Sequence, residues 1–159
     1  MLEKLRKAMK AADIDMLLIP SADPHGSEYP EEYFKARKHF SGFTGSAGTL
    51  LIWQGGAGLW TDGRYFIQAA RQLEGSGIDL FKMREPGVPT VDEFIAENIK
   101  GGVLGADLRT ISAHEGMELK NSGVTLKDCP KIIDDNWEGR PALSAEPAYV
   151  LPAELAGVS

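Results

Sequence analysis

Apolar residues recur along the chain with two periods, one typical of helices and one typical of strands. Between residues 2 and 12 they follow helical spacing with charged residues between them, which predicts an amphipathic helix. Residues 15–19 form a short apolar run that Pro20 ends, as in a strand covered on both faces. Further helices are predicted at 31–40, 64–74, 91–99 and 111–121, and further strands at 49–53, 57–61, 78–83, 103–107 and 124–126.

The order of these elements predicts an α/β fold in which helices flank a mixed β-sheet. Residues 54–56 have the composition of a hairpin turn, so two neighbouring strands must run antiparallel. Thr90 and Glu93 have the spacing of a capping box at the start of a helix. From Arg140 the sequence becomes rich in proline and small residues, which is typical of a linker. We therefore expect one domain at residues 1–140, with a linker and the start of a truncated second domain at 141–159.

One stretch, residues 59–70, predicts a strand that turns sharply into a helix. Thr61 and Asp62 are residue types whose side chains accept hydrogen bonds from the first turn of a helix, and Gly63 permits a tight turn. Such a corner often borders a ligand site, and this corner presents one fixed cation, Arg64. From the residues alone, the simpler interpretation is structural, with Asp62 capping the helix and Arg64 pairing with a surface carboxylate.

Composition excludes several classes of function. The chain of 159 residues has 17 Lys and Arg against 23 Asp and Glu, a net charge of −6, which argues against nucleic acid as a partner. No apolar run approaches the ~20 residues that cross a membrane, and residues 1–15 lack the apolar core of a signal peptide. A cytoplasmic location is therefore expected. The single cysteine, Cys129, has no neighbouring base, which predicts an inert thiol.

Two loops carry ligand-like residues at spacings that do not fit a ligand site. Residues 21–30 include Asp23, His25 and Glu28, but their separations match no familiar metal pattern, so a structural or rim loop is expected. Residues 41–48 contain three glycines, but they lead into a strand and lack a Gly-Lys-Ser/Thr ending. Tight backbone turning explains them better than a phosphate cradle. The sequence also lacks Gly-x-Ser-x-Gly and His-Glu-x-x-His motifs, which favours a domain that positions ligands over one that reacts alone.

Four motifs, taken in order, resemble one known family. They lie at residues 23–29, 41–49, 60–66 and 134–141. Together they resemble the N-terminal, creatinase-like domain of Xaa-Pro aminopeptidases (aminopeptidase P) in the three-domain form. The resemblance covers essentially the whole chain and implies a ribonuclease-H-like α/β motif.

The resemblance also implies a function and partners. In that family a separate C-terminal domain holds two metal ions, usually manganese, and the water they activate cleaves the bond before a proline in second position. None of the implied metal ligands falls within residues 1–159, so no cofactor, no catalytic residue and no activity are expected of this chain alone. The implied partners are its own C-terminal catalytic domain, proline-containing peptides and, in the full-length protein, a second copy in a homodimer.

The resemblance implies that Arg64 binds the peptide substrate, with Asp62, His25 and Tyr65 as candidate rim residues. The function expected on this basis is a substrate-gating and assembly domain of a metallo-aminopeptidase. Two alternatives stay open. One is a stand-alone α/β module that binds a small anionic ligand through Arg64 and the glycine-containing loop. The other is the equivalent domain of a prolidase or creatinase relative.

Overall fold

Six strands form one mixed sheet in the computed structural model, which describes residues 1–157. The strands are β1 (Met16–Pro20), β2 (Thr49–Trp53), β3 (Gly56–Thr61), β4 (Asp79–Lys82), β5 (Val103–Ala106) and β6 (Thr125–Asp128). Their order across the sheet is β4-β3-β2-β1-β5-β6, and β2 runs antiparallel to the other five. The predicted α/β fold with a mixed, ribonuclease-H-like sheet is confirmed.

Helices cover both faces of this sheet. They are α1 (Leu2–Ala11), α2 (Ala36–Ser41), α3 (Phe66–Gln72), α4 (Val91–Asn98), α5 (Ala113–Asn121), α6 (Pro130–Asn136) and α7 (Ala153–Ala156), with 3-10 turns at Glu32–Phe34 and Leu108–Thr110. Helices α1, α2, α3 and α6 contribute to the apolar core on one face, and α4 and α5 contribute to the core on the other. The sheet is therefore the middle layer of three.

Strand β1 lies at the centre and is buried on both faces. Leu17 and Ile19 belong to the core under α1, whereas Met16 and Leu18 belong to the core under α4 and α5. Successive side chains of a strand point to opposite faces, so a strand between two layers of helices needs an unbroken apolar run. The sequence supplies that run, which is why β1 was predictable.

Capping boxes start two of the helices. The Thr90 hydroxyl accepts a hydrogen bond from the Glu93 backbone N–H, and the Glu93 carboxylate accepts one from the Thr90 backbone N–H, as predicted. Ser112 and Glu115 form the same reciprocal pair at the start of α5. Each box satisfies backbone donors that have no partner within the helix.

Two predicted helix boundaries were wrong, and one helix was not predicted. Residues 31–40 do not form one helix, because the chain leaves helical geometry at Lys35 (ψ 35°) between the 3-10 turn and α2. Helix α3 begins at Phe66 rather than at residue 64, and its N-cap residue, Tyr65, makes no side-chain capping bond. The segment 130–136, for which no helix was predicted, forms α6 with Pro130 in its first turn. Local turns set the first two of these ends, and such turns leave no mark in the hydrophobic period.

The capping role predicted for Thr61 and Asp62 was also wrong. The Thr61 hydroxyl is fully buried and donates a hydrogen bond of 2.7 Å to the Ala47 carbonyl. Asp62 bonds Arg64, which lies before the helix, because a turn from Asp62 to Tyr65 separates the strand from α3. The corner itself exists as expected, but its polar side chains fix the turn and not the helix.

The chain from residue 141 to residue 157 is exposed throughout, with α7 as its one helix within the described residues. No residue in this stretch belongs to either apolar core. The division into a domain at 1–140 and a linker with the start of a second domain at 141–159 stays a prediction, and its last two residues lie outside the described range.

Substituting Gly58 with alanine tests the close packing of β3. A Cβ atom at Gly58 would lie 2.6 Å from Phe81 and 2.7 Å from Trp60, whose stacked rings are 3.9 Å apart. Overpacking of this kind should lower the free energy of unfolding by about 1–3 kcal/mol, measured by chemical denaturation. Gly55→Ala is the matched control, since its Cβ would come no closer than 3.8 Å to Trp53. Equal stability of the two variants would contradict this account.

Candidate functional site

Strand ends converge at one edge of the sheet. Pro20 at the end of β1 lies opposite Thr49 at the start of β2, and Thr49 lies opposite Trp60 near the end of β3. Strands β4, β5 and β6 run parallel to their neighbours and end at the same edge. Ligand sites of α/β sheets lie outside the carboxyl ends of strands. Three loops lie at this edge of the sheet, and we call them together the loop edge. They are residues 21–30, 41–48 and 61–65.

Arg64 is held in a fixed orientation at the loop edge by Asp62. The Asp62 carboxylate accepts hydrogen bonds from Arg64 Nε (3.0 Å), from Nη2 (2.8 Å) and from the backbone N–H of the same residue (3.0 Å). These bonds lower the pKa of Asp62 from its ordinary value. The Arg64 side chain is 64% exposed, so this ion pair adds little to stability. The effect of the ion pair is to orient the guanidinium, so that its remaining N–H groups form a forked donor for a ligand at the loop edge.

Tyr65 connects this corner to the glycine-containing loop. Its hydroxyl lies 2.8 Å from the Ser46 hydroxyl, and its ring meets Phe43 edge-on at 5.7 Å. The Arg64 guanidinium lies over the Tyr65 ring, 5.3 Å from the ring centre. The structure therefore brings together three of the four residues named from the sequence: Arg64, Asp62 and Tyr65.

His25, the fourth residue, lies elsewhere on the loop edge. Its backbone N–H and that of Ser27 donate to the Asp23 carboxylate at 2.9 and 3.0 Å, which fixes the loop as a tight turn. The Ser27 backbone bond is the main reason why the pKa of Asp23 is lowered. The His25 ring is 88% exposed and lines a depression with Arg109 that does not include Arg64. This geometry is that of a structural loop.

Two of the three glycines of residues 41–48, Gly45 and Gly48, are needed for close packing. A Cβ atom at Gly45 would lie 2.3 Å from the Phe43 ring and 2.7 Å from the Tyr65 ring. At Gly48 it would lie 3.0 Å from a backbone carbonyl. The Thr44 backbone N–H is already bonded to a glutamine side chain. Packing therefore explains Gly45 and Gly48, whereas Gly42 ends α2 in the left-handed conformation (φ 73°), in agreement with the expected tight turning.

Arg37 organises this loop, and the sequence interpretation missed it. The side chain is buried, and it donates hydrogen bonds to the Ser21 hydroxyl (2.8 Å) and to the carbonyls of Phe43 and Gly45. Burial lowers the pKa of Arg37 to about 10, so it is still charged at neutral pH. One signal was present in the sequence: at helical spacing Arg37 falls on the same side as Phe40, an apolar side that becomes buried.

Residues 1–157 offer little reactive chemistry of their own. Burial raises the pKa of the Cys129 thiol to about 12, in agreement with the expected inert cysteine. Within the described residues, no group of three His, Cys, Asp or Glu side chains could hold a metal ion. The helices in that range are all too short or too polar to cross a membrane. What the loop edge offers is oriented hydrogen-bond donors and positive charge.

The sequence matches the family model described as the creatinase/prolidase N-terminal domain over residues 1–135. A probable Xaa-Pro aminopeptidase P from Coccidioides posadasii is 44% identical over 99% of this chain. Aminopeptidase P2 from Arabidopsis thaliana is 49% identical over 91% of it. The chain covers 25% and 21% of these two relatives, so it spans about a quarter of their length.

A solved structure has the same fold over nearly the whole chain. The X-prolyl aminopeptidase from Caenorhabditis elegans, described as a cytosolic enzyme with a di-nuclear active site, superimposes with a TM-score of 0.86. The two sequences are 33% identical, and the match covers 99% of this chain and 28% of that enzyme. Residues 1–157 themselves provide no ligand cluster that would fit a di-nuclear metal centre.

Replacing Arg37 with methionine tests its role in holding the loop edge together. The apolar side chain has a similar length but leaves the carbonyls of Phe43 and Gly45 without a donor. We expect the free energy of unfolding to fall by about 2–3 kcal/mol in chemical denaturation, because buried polar groups without partners are costly. Arg71→Met, at an exposed position of α3, should change stability by less than about 0.5 kcal/mol. A similar small effect for both variants would contradict the role of Arg37.

Proposed function

The chain belongs to the creatinase/prolidase N-terminal domain family, and from this premise we propose that it is the amino-terminal domain of a Xaa-Pro aminopeptidase. The names of its relatives support that choice over a prolidase or a creatinase. In this proposal the remainder of a longer protein carries the catalytic centre. The present domain forms one wall of the substrate cleft and gates the entry of peptides.

The observation that carries the proposal is the oriented guanidinium of Arg64 at the loop edge. Asp62 takes two of its five side-chain N–H donors, through Nε and Nη2, and the side chain is largely exposed. A peptide with proline in second position lacks one backbone N–H, so recognition must rely on its carbonyl oxygens and its carboxylate. A forked cation is suited to both of these acceptors.

The metal ions belong to the part of the protein outside this chain. We propose two divalent ions, manganese in the first instance, which when bound would activate the water that attacks the peptide bond. Residues 1–157 do not fit such a centre, so this domain contributes by positioning the peptide and by limiting access. The proposal includes a cytoplasmic homodimer in the full-length protein. Its location is supported by the cytosolic relative, and its dimeric state rests on the resemblance of the motifs.

A stand-alone module for a small anionic ligand is the second function to consider. It was expected to use Arg64 together with the glycine-containing loop. The backbone N–H groups of Phe43 and Thr44 already donate to the Ser41 hydroxyl and to the Gln72 side chain, which argues against a phosphate cradle in that loop. A cavity beside Arg37 is lined with cations and nevertheless favours the binding of an anionic group.

Substituting Arg64 with alanine in the full-length protein tests the proposed substrate contact. We expect kcat/KM for an Xaa-Pro tripeptide to fall about tenfold, the equivalent of one lost charge-assisted hydrogen bond of ~1.4 kcal/mol. Metal content and thermal stability should stay unchanged, because the ion pair with Asp62 is exposed. The measurement is steady-state hydrolysis of peptides of three different lengths.

Two controls accompany this experiment. Arg71→Ala removes an exposed arginine from the same region of the chain and should leave kcat/KM unchanged. Residues 1–159 alone, assayed with manganese, should give no cleavage. Rates equal to wild type for Arg64→Ala at every peptide length would remove this residue from the site, and metal-dependent turnover by residues 1–159 would refute the proposed division of labour.

A further inference from the structure

A cavity of about 220 Å³ lies next to the loop edge, between α2 and the glycine-containing loop. Its volume is below the ~300–1,000 Å³ of typical small-molecule sites, so its occupant must be small, about one amino-acid residue. The lining combines four apolar residues, Pro20, Tyr29, Pro30 and Phe34, here called the apolar wall, with the hydroxyl-bearing residues Thr44 and Ser46. We call it the α2 cavity.

Positive charge dominates the lining of the α2 cavity. Lys35, Arg37 and Lys38 contribute cations, and Glu28 contributes the single carboxylate among the lining residues. Lys35 is paired with Glu32, which lies outside the lining, and Lys38 is exposed. In a chain whose net charge is −6, this local excess of cations favours an anionic ligand.

Arg37 strengthens this conclusion because its charge is not neutralised within the described residues. Its three hydrogen bonds go to a hydroxyl and two carbonyls, and no carboxylate of residues 1–157 forms an ion pair with it. A guanidinium has five N–H donors, so two of them are not accounted for by these bonds. Burying a cation without a counter-charge is costly, and an anion in the cavity would offset that cost.

The α2 cavity adjoins the corner that carries Arg64. Ser46 lines the cavity, and its hydroxyl is 2.8 Å from that of Tyr65, the residue after Arg64 in the sequence. A short extended peptide passing Arg64 can therefore place its next residues towards the cavity. The hydroxyl pair marks the boundary between the two sites.

We propose that the α2 cavity binds the carboxyl-terminal residue of a short peptide, with the free carboxylate near Lys38 and Arg37. The side chain of that residue packs on the apolar wall formed by the two prolines and two aromatic rings. This inference rests on the proposed function, because it names a second contact for the same substrate. It gives peptides with a free carboxyl end an advantage over amidated peptides.

The test uses residues 1–159 and two probes, the tripeptide Ala-Pro-Ala and its carboxyl-terminal amide. Binding is followed by NMR through the backbone N–H signals of Gly45 and Ser46. The free acid should shift these signals in a saturable manner, with a dissociation constant at least about fivefold lower than that of the amide, as expected for one partly exposed charge interaction. Equal affinity for acid and amide, or shifts that do not include the cavity, would overturn the proposal.

Matched variants identify the charges involved. The variant Lys38→Gln should bind the free acid about threefold more weakly than wild type does, while its affinity for the amide stays unchanged. Lys120→Gln, at an exposed lysine of α5 on the opposite face of the sheet, should behave as wild type. Unchanged binding of the free acid by Lys38→Gln would overturn the assignment of the carboxylate to this cavity.

Competition with inorganic phosphate distinguishes a peptide carboxylate from a free oxyanion as the ligand of the α2 cavity. If the cavity is a peptide subsite, ~10 mM phosphate should compete only weakly with the free acid, because phosphate cannot use the apolar wall. Phosphate binding tighter than the tripeptide would overturn the peptide assignment in favour of a free oxyanion. A failed titration combined with reduced turnover of Arg64→Ala would reject this inference and leave the proposed function standing.

Discussion

The buried guanidinium of Arg37 holds the loop edge together. It joins the end of β1, through Ser21, to the loop that precedes β2, through the carbonyls of Phe43 and Gly45. Ser21 itself donates to the Gly48 carbonyl from both its backbone N–H and its hydroxyl. Because a loop of this shape cannot satisfy its own carbonyls, one long cation from the neighbouring helix does so for it.

The position of the functional corner follows from this arrangement. With the glycine-containing loop fixed, Phe43 and Ser46 provide a ring and a hydroxyl against which Tyr65 is packed. Thr61 ties the end of β3 to the same loop through the Ala47 carbonyl. Stability thus comes from buried contacts below the surface, whereas the exposed Asp62–Arg64 pair orients a cation without contributing much to folding.

Hydrophobic periodicity and turn-forming residues were enough to predict the sheet, but they were not enough to predict the loop edge. Three features could be predicted because each is a local sequence pattern that favours one structure. They are the apolar run of β1, the hairpin between β2 and β3, and the Thr90–Glu93 capping box. The break at Lys35 follows a 3-10 turn, and the late start of α3 follows the turn from Asp62 to Tyr65; neither turn interrupts the apolar period that predicted a helix. Arg37 could not be assigned for a different reason, since its partners lie up to 16 residues away. The sequence named four candidate site residues. The structure brings Arg64, Asp62 and Tyr65 together and places His25 apart from them.

A structure of the full-length protein with an uncleaved Xaa-Pro tripeptide in its cleft would test the central claim most directly. The claim is that the loop edge faces the substrate and that the chemistry is carried out elsewhere. The account predicts the Arg64 guanidinium within ~3.5 Å of a peptide oxygen and every metal ligand outside residues 1–157. A peptide bound with the loop edge turned away from it into solvent would contradict the account.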